Sequence, residues 1–244
     1  MYNKINKIEW HKLFNKKSFK YNILSLNLKN ISPFNLAEII YPELKKNNFF
    51  KKLNFIIKNI NLSKKKNLLD FGSGNGAFLK FFQKKVRKAY SMEISKNFIN
   101  FQKKILHNTD FILTNPYNVN FFKKIKDNEI DITISCSVFQ YFYNDNYCKN
   151  ILKEMIRTTR EQIFLYDIKN KDKKRDYLEK IRKRQKLGKS EFLNKYKNTP
   201  QRFYEKKFFL NFLKKKYPNL KFKILKLPKE ATDYKYGFCL KITK

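Results

Sequence analysis

At 244 residues, with 42% hydrophobic and 17% aromatic residues, the chain can bury a substantial core, which excludes a disordered protein and suits one large α/β domain with a modest addition. No apolar run is long enough to cross a bilayer and no signal-peptide stretch opens the sequence, so a cytoplasmic location is expected; isolated Cys136, Cys148 and Cys239 and distant His11 and His107 support neither disulfides nor a metal centre. The formal charge of +36 would attract nucleic acid or acidic ligands, yet only seven of 56 basic residues are Arg, and the scattered Lys, Asn, Ile, Phe and Tyr share AT-rich codons, so codon bias is the first explanation and nucleic-acid affinity the second.

Residues 1–64 read as a helical N-terminal cap. Phe49, Leu53, Ile56, Ile57 and Ile60 recur at helical spacing, with Asn47 or Asn48 as the capping residue. Strands and helices then alternate. Asn67–Phe71 is a short apolar strand and 77–85 a helix with Phe78, Phe81 and Phe82 on one side; Ala89–Ile94 is the second strand. A helix capped by Ser95 follows, presenting Phe98, Ile99, Gln102, Ile105 and Leu106 on one face. Ile130–Cys136 is a further strand, a helix carries Cys148, Ile151, Leu152, Met155 and Ile156, and Gln162–Ile168 is again a strand. Such alternation predicts parallel strands joined by crossover helices.

The last third differs. Residues 169–198 read as a basic helical insertion, densest over Lys169–Lys189, with Tyr177, Leu178 and Ile181 forming a narrow apolar stripe. Thr199–Pro200 is a good helix start, predicting a helix to about Lys216. Leu220, Phe222 and Ile224, then Tyr236, Phe238, Leu240 and Ile242, form two alternating strands that predict an antiparallel pair at the sheet edge.

Three of only five glycines stand at alternate positions in Asp70-Phe71-Gly72-Ser73-Gly74-Asn75-Gly76. A strand running into such a loop and then a helix brings backbone close to a ligand, where a Cβ would collide. Gly72-x-Gly74-x-x-Ala77, with Glu93 some twenty residues on, also fits a dinucleotide site. Two features favour methyl transfer: Asp70 at the strand end, suited to a cationic amino group, and the antiparallel terminal pair. Here the segment Leu69–Gly76 resembles the first motif of class I S-adenosylmethionine-dependent methyltransferases, and the similarity extends from about Lys65 to Lys244. The resemblance implies a Rossmann-like three-layer sandwich, with a mostly parallel seven-stranded sheet and an antiparallel C-terminal hairpin, in a domain spanning 65–244.

It further implies S-adenosylmethionine as cofactor, held by Asp70, Gly72, Ser73, Gly74, Asn75 and Gly76. Glu93 and Ile94 would lie at the ribose and Asn115 beside the adenine, where the family often has Asp; Ser135 and Cys136 would border the methionine and the substrate mouth. Ser135–Phe142, Glu154–Arg157 and Leu165–Ile168 are also similar to a group of bacterial methyltransferases associated with surface-polysaccharide and small-molecule biosynthesis, which implies O-methylation of a sugar-type metabolite. The alternatives are an RNA methyltransferase or a non-catalytic RNA-binding protein on the same fold. Thr114-Asn115-Pro116-Tyr117 imitates the signature of base-modifying amino-methyltransferases, but it follows Glu93 too closely to lie after a fourth strand, and it lacks one proline.

Asp167 and Tyr141 are candidates for a general base if the acceptor is a hydroxyl. The division expected is a cofactor site complete between Asp70 and Cys136, with acceptor specificity supplied by the cap and the basic segment, which would meet an anionic small molecule.

Overall fold

The computed structural model of the protein describes residues 30–40, 44–197, 200–231 and 233–244. His11 and Thr199 lie outside them. Two helices, α1 (Pro33–Ile40) and α2 (Lys46–Asn59), precede the alternating region. There β1 (Asn67–Phe71), α3 (Ala77–Phe82), β2 (Lys88–Glu93), α4 (Lys96–Ile105), β3 (Thr109–Leu113), β4 (Ile130–Cys136), α5 (Asp145–Thr158) and β5 (Thr159–Lys169) follow in order. The chain ends in α6 (Lys174–Arg184), α7 (Lys189–Tyr196), α8 (Lys206–Lys216), β6 (Lys221–Lys226) and β7 (Gly237–Thr243).

The seven strands form one sheet in the order β3-β2-β1-β4-β5-β7-β6. Strands β1 to β5 are parallel to one another, and β7 is antiparallel to both β5 and β6. Period-two alternation divides the sheet's side chains between two cores. Leu68, Ala89, Ile134, Phe164, Tyr166 and Cys239 pack with α1, α2, α3 and α4, while Leu69, Met92, Leu165, Phe238 and Leu240 pack with α5 and α8. This is the three-layer Rossmann-like sandwich of class I methyltransferases, with the terminal antiparallel pair. On β1, Asp70 alternates with Leu69 and Phe71, which puts it on the same face as Leu68, towards the two N-terminal helices.

Those helices sit on the sheet through aromatic contacts. Phe49 of α2 stacks on Phe78 of α3 at 5.9 Å, and Phe55 meets Phe164 and Tyr166 of β5 at 6.2 and 6.1 Å. Ser95 caps α4 as expected, its Oγ accepting from Phe98 N at 3.3 Å. Two expectations are corrected. Asn47 and Asn48 lie inside the first turn of α2, which starts after Lys45 with no side-chain cap. The helix expected from Thr199 begins only at Lys206, because the preceding backbone is committed elsewhere: Arg202 N donates to Gln140 O, Tyr204 N to Lys169 O, and Lys171 N to Tyr204 O. The basic segment is two helices, α6 and α7, joined across Gln185–Gly188. Among the described residues no helix is long and apolar enough to cross a membrane, and no cluster of side chains has metal-binding composition.

Candidate cofactor site

The glycine loop leaves the C-terminal end of β1 at the point where the sheet changes direction, with β2 on one side of β1 and β4 on the other. This is where open α/β sheets bind ligands. Gly72, Gly74 and Gly76 all have left-handed backbones, with φ of 78°, 58° and 84°. A Cβ on Gly72 would lie 2.3 Å from Val138 Cγ2, so the position demands glycine twice over. Gly72 N and Ser73 N donate to Met92 O of β2 at 2.7 and 3.2 Å.

Beneath the loop lies a buried polar network that the sequence did not reveal. Ser73 Oγ is 2.7 Å from Ser91 Oγ, and Ser91 donates to Gln102 Oε1 at 2.6 Å. Gln102 Nε2 in turn donates to Ser73 Oγ at 2.9 Å and to Gly74 O at 2.6 Å. All three side chains are buried. The signal was available: Gln102 is the one polar residue on the apolar face of α4. A fixed loop backbone is what close approach to a ligand requires. The cap reaches the same loop, for Asn75 Nδ2 donates to Leu36 O of α1 at 2.5 Å.

Two buried acids flank the loop. Asp70 is 1% exposed, and neither carboxylate oxygen has a hydrogen-bond partner among the described residues. Burial, reinforced by Glu93 and opposed by Lys52, raises its pKa from 3.8 to about 7. A buried carboxylate without partners is costly. Its presence at the mouth of the sheet fits a ligand that brings a cationic donor, as the amino group of S-adenosylmethionine would. Glu93 is differently placed. Its Oε1 accepts from Ile94 N and Ser95 N, both at 2.9 Å, and its Oε2 from Gly74 N at 2.8 Å. Burial still raises its pKa to about 7 against these three donors. With about four acceptor positions on a carboxylate, roughly one remains for a ligand hydroxyl.

The other candidates divide. Ile94 is half-buried beside Glu93. Asn115 is exposed beyond the end of β3; its Oδ1 accepts from Tyr117 N at 2.8 Å and its carbonyl from Tyr147 Oη at 2.8 Å. Asn115-Pro116-Tyr117 therefore follows the third strand, as its spacing required, and not the fourth. Ser135 Oγ donates to Phe71 O at 3.0 Å, tying β4 to the start of the loop. Cys136 is half-buried and close enough to Lys52, Asp70 and Asp167 to be influenced by their charges; burial holds its thiol protonated.

At the ends of β4 and β5 the structure brings together residues from distant parts of the chain. Asp167, with φ of 60°, accepts from Ser137 Oγ at 2.7 Å and from Lys169 Nζ at 3.1 and 3.2 Å. Lys169 is only 2% exposed; it also reaches Asp233 at 3.0 Å and lies 4.6 Å from the Tyr177 ring centroid. Lys180 of α6 completes the set at 3.1 Å from Asp233. Tyr141, on the turn after β4, feels Lys169, Asp167 and Asp233, but burial dominates and raises its pKa. Sequence reasoning named Asp167 and Tyr141 and missed Lys169 as a buried group.

Residues 69–166 match the family model of a methyltransferase domain. Among similar solved structures, an S-adenosylmethionine-dependent methyltransferase from Aquifex aeolicus has 14% identity over 88% of this chain and 99% of that one, with a TM-score of 0.53. The magnesium protoporphyrin IX methyltransferase of Synechocystis PCC 6803, with S-adenosylhomocysteine bound, has 13% identity over 96% and 97%, at 0.58. Phosphoethanolamine N-methyltransferase 1 of Haemonchus contortus has 13% identity over 100% of this chain and 51% of that one, at 0.64. No curated protein matches the chain. The fold is that of the class I methyltransferases. Its residues 69–166 form a methyltransferase domain, and the chain is an S-adenosylmethionine-dependent enzyme.

Proposed function

We propose that the protein methylates a small polar acceptor, with Asp70, the Gly72–Gly76 loop and Glu93 holding the cofactor and the Tyr141–Asp167 region receiving the acceptor. The orphaned Asp70 carboxylate carries this reading. It lies on the cap-facing side of the sheet beside the glycine loop, where a cationic amine would satisfy it. Glu93, with its one free acceptor position, suits a ribose hydroxyl, and Ile94 and Asn115 border the adenine side. Ser135 and Cys136 line the approach to the methionine end.

The bound sulfonium supplies an electrophilic methyl group, so the chain's principal task is to orient the acceptor towards it. Burial keeps the Tyr141 phenol protonated and so makes it a hydrogen-bond donor to the acceptor. Of the two candidate bases this leaves Asp167 to take a proton from an acceptor hydroxyl. The basic segment does not by itself require an anionic acceptor, since Lys180 pairs with Asp233 and Arg182 with Glu179 at 2.6 Å. Two of the similar proteins support a small acceptor: the nematode enzyme was solved with phosphoethanolamine, and the cyanobacterial one is named for a porphyrin.

Calorimetry with S-adenosylmethionine, S-adenosylhomocysteine and NAD tests the cofactor assignment. The first two are expected to bind and NAD is not; NAD binding with no response to S-adenosylhomocysteine would overturn it. Glu93→Ala should weaken S-adenosylhomocysteine by about 1–3 kcal/mol, the scale for a buried acceptor removed from its partners. Because Glu93 also holds Gly74, Ile94 and Ser95, the same variant should lose thermal stability. Unchanged affinity would mean that the ribose lies elsewhere.

A further inference from the structure

On the reading that this site holds S-adenosylmethionine, we infer that Lys52, carried by the cap helix α2, is a cofactor-binding residue that pairs with the carboxylate of the methionine end. The cofactor site is then built jointly by the cap and the sheet, and is not complete between Asp70 and Cys136 as the motif order suggests.

Lys52 lies one helical turn after Phe49, whose ring stacks on Phe78, and one residue before fully buried Leu53, so packing on both sides fixes its position. Its ammonium sits 4.8 Å from the centroids of both the Phe78 ring of α3 and the Tyr166 ring of β5. Two aromatic faces hold a cation in place without neutralising it. No carboxylate among the described residues lies within ion-pair distance of Lys52, although its charge acts on both Asp70 and Cys136. Lys52 is half-buried between the two rings, with no counter-ion among the described residues.

The surroundings are equally incomplete. Asp70 has both oxygens buried without a donor, and the Tyr166 hydroxyl, under the same ammonium, is buried without a partner. One cation and one anion thus lie close enough to act on each other without pairing, and an unpartnered hydroxyl is carried by one of the rings that hold the cation. An α-amino acid end carries the complementary pair, an ammonium for Asp70 and a carboxylate for Lys52, with Tyr166 able to donate to the same carboxylate. A simple anion would leave Asp70 unsatisfied, and a simple amine would leave Lys52 so.

The test compares two ligands on the full chain by calorimetry: S-adenosylhomocysteine, and 5′-methylthioadenosine, which keeps the nucleoside and thioether but lacks the amino-acid end. Wild type should bind the first more tightly. Lys52→Met should weaken S-adenosylhomocysteine by about tenfold or more while leaving methylthioadenosine within about twofold, and Lys52→Arg should restore most of the loss. The unchanged nucleoside affinity also reports that the variant is folded. Equal loss of both ligands, or loss of neither, would overturn the role of Lys52. If wild type binds neither ligand, the cofactor assignment itself fails, a result separable from the behaviour of the variants.

Discussion

Asp70→Asn should make the unliganded protein more stable at neutral pH and nearly abolish its response to S-adenosylhomocysteine. The carboxylate has an ordinary pKa of 3.8 in the unfolded chain and about 7 in the folded one, raised by burial first and by Glu93 second. Between these values the folded state holds a proton that the unfolded state has released. Stability therefore falls as pH rises from about 4 to about 7, and the penalty persists above that. Glu93, raised from 4.5 to about 7, adds to the same slope. An amide at position 70 removes one of the two contributions, on the order of a few kcal/mol near pH 7.5. It also removes the counter-charge for a cationic amine, which should cost about 2–5 kcal/mol of affinity. Thermal melts between pH 5 and 8, with and without S-adenosylhomocysteine, give both readings. Wild type should lose melting temperature towards pH 8 and gain the larger ligand-induced shift there. A variant that melts lower than wild type at pH 7.5, or keeps the full ligand shift, would show that Asp70 is satisfied by the protein itself.

Lys169→Met should be the most damaging single substitution at the proposed acceptor side. Burial works against the charged ammonium, but Asp167, Tyr177 and Asp233 more than offset it and raise the lysine's pKa above its ordinary value. Removing the cation leaves Asp167, and Asp233 apart from Lys180, facing each other in a poorly solvated pocket. Breaking a buried pair in this way costs about 3–5 kcal/mol. Urea denaturation measures the loss directly. Asp167→Asn in the same background should recover part of it, because one of the uncompensated charges is then gone. A loss below about 1 kcal/mol would mean that water reaches the pocket and that the ion network is dispensable.

The parts of this molecule legible in the sequence are those specified by local pattern. The apolar runs of β1 and β4, the Ser95 cap and the clustered glycines each carry their meaning within about ten residues, and they locate the sheet and its loop. The period-two alternation of Phe238, Leu240 and Ile242 likewise disclosed one strand of an antiparallel pair at the sheet edge, though not that this last strand lies beside β5. What escaped depends on partners far along the chain. Lys169 gives no local sign of being buried, since Asp233 is 64 residues away. Lys52 is one lysine among many until Phe78 and Tyr166 close around it. Pro200 carries a helix-start signal, yet Arg202 and Tyr204 find backbone partners at Gln140 and Lys169, and tertiary pairing overrides local preference.

The order of the last two strands has a consequence for assembly during synthesis. β7 lies between β5 and β6 yet follows both in the chain, so the earlier-made edges of β5 and β6 wait, unpaired, for a strand that emerges later. Such waiting edges invite association with other chains. Lys221, Lys223 and Lys226 are exposed along β6 and make that edge a poor template for intruding strands. The wait also orders the maturation of the enzyme. β1, β2 and β4, with the glycine loop, can assemble from residues already made, whereas Asp167 is confined only when Gly237 arrives. A Cβ at Gly237 would lie 2.7 Å from Asp167 Oδ1, so the backbone of β7 forms one wall of that carboxylate's pocket. On the proposed assignment of the site, a nascent chain would acquire its hold on the cofactor before it acquires the geometry to use it.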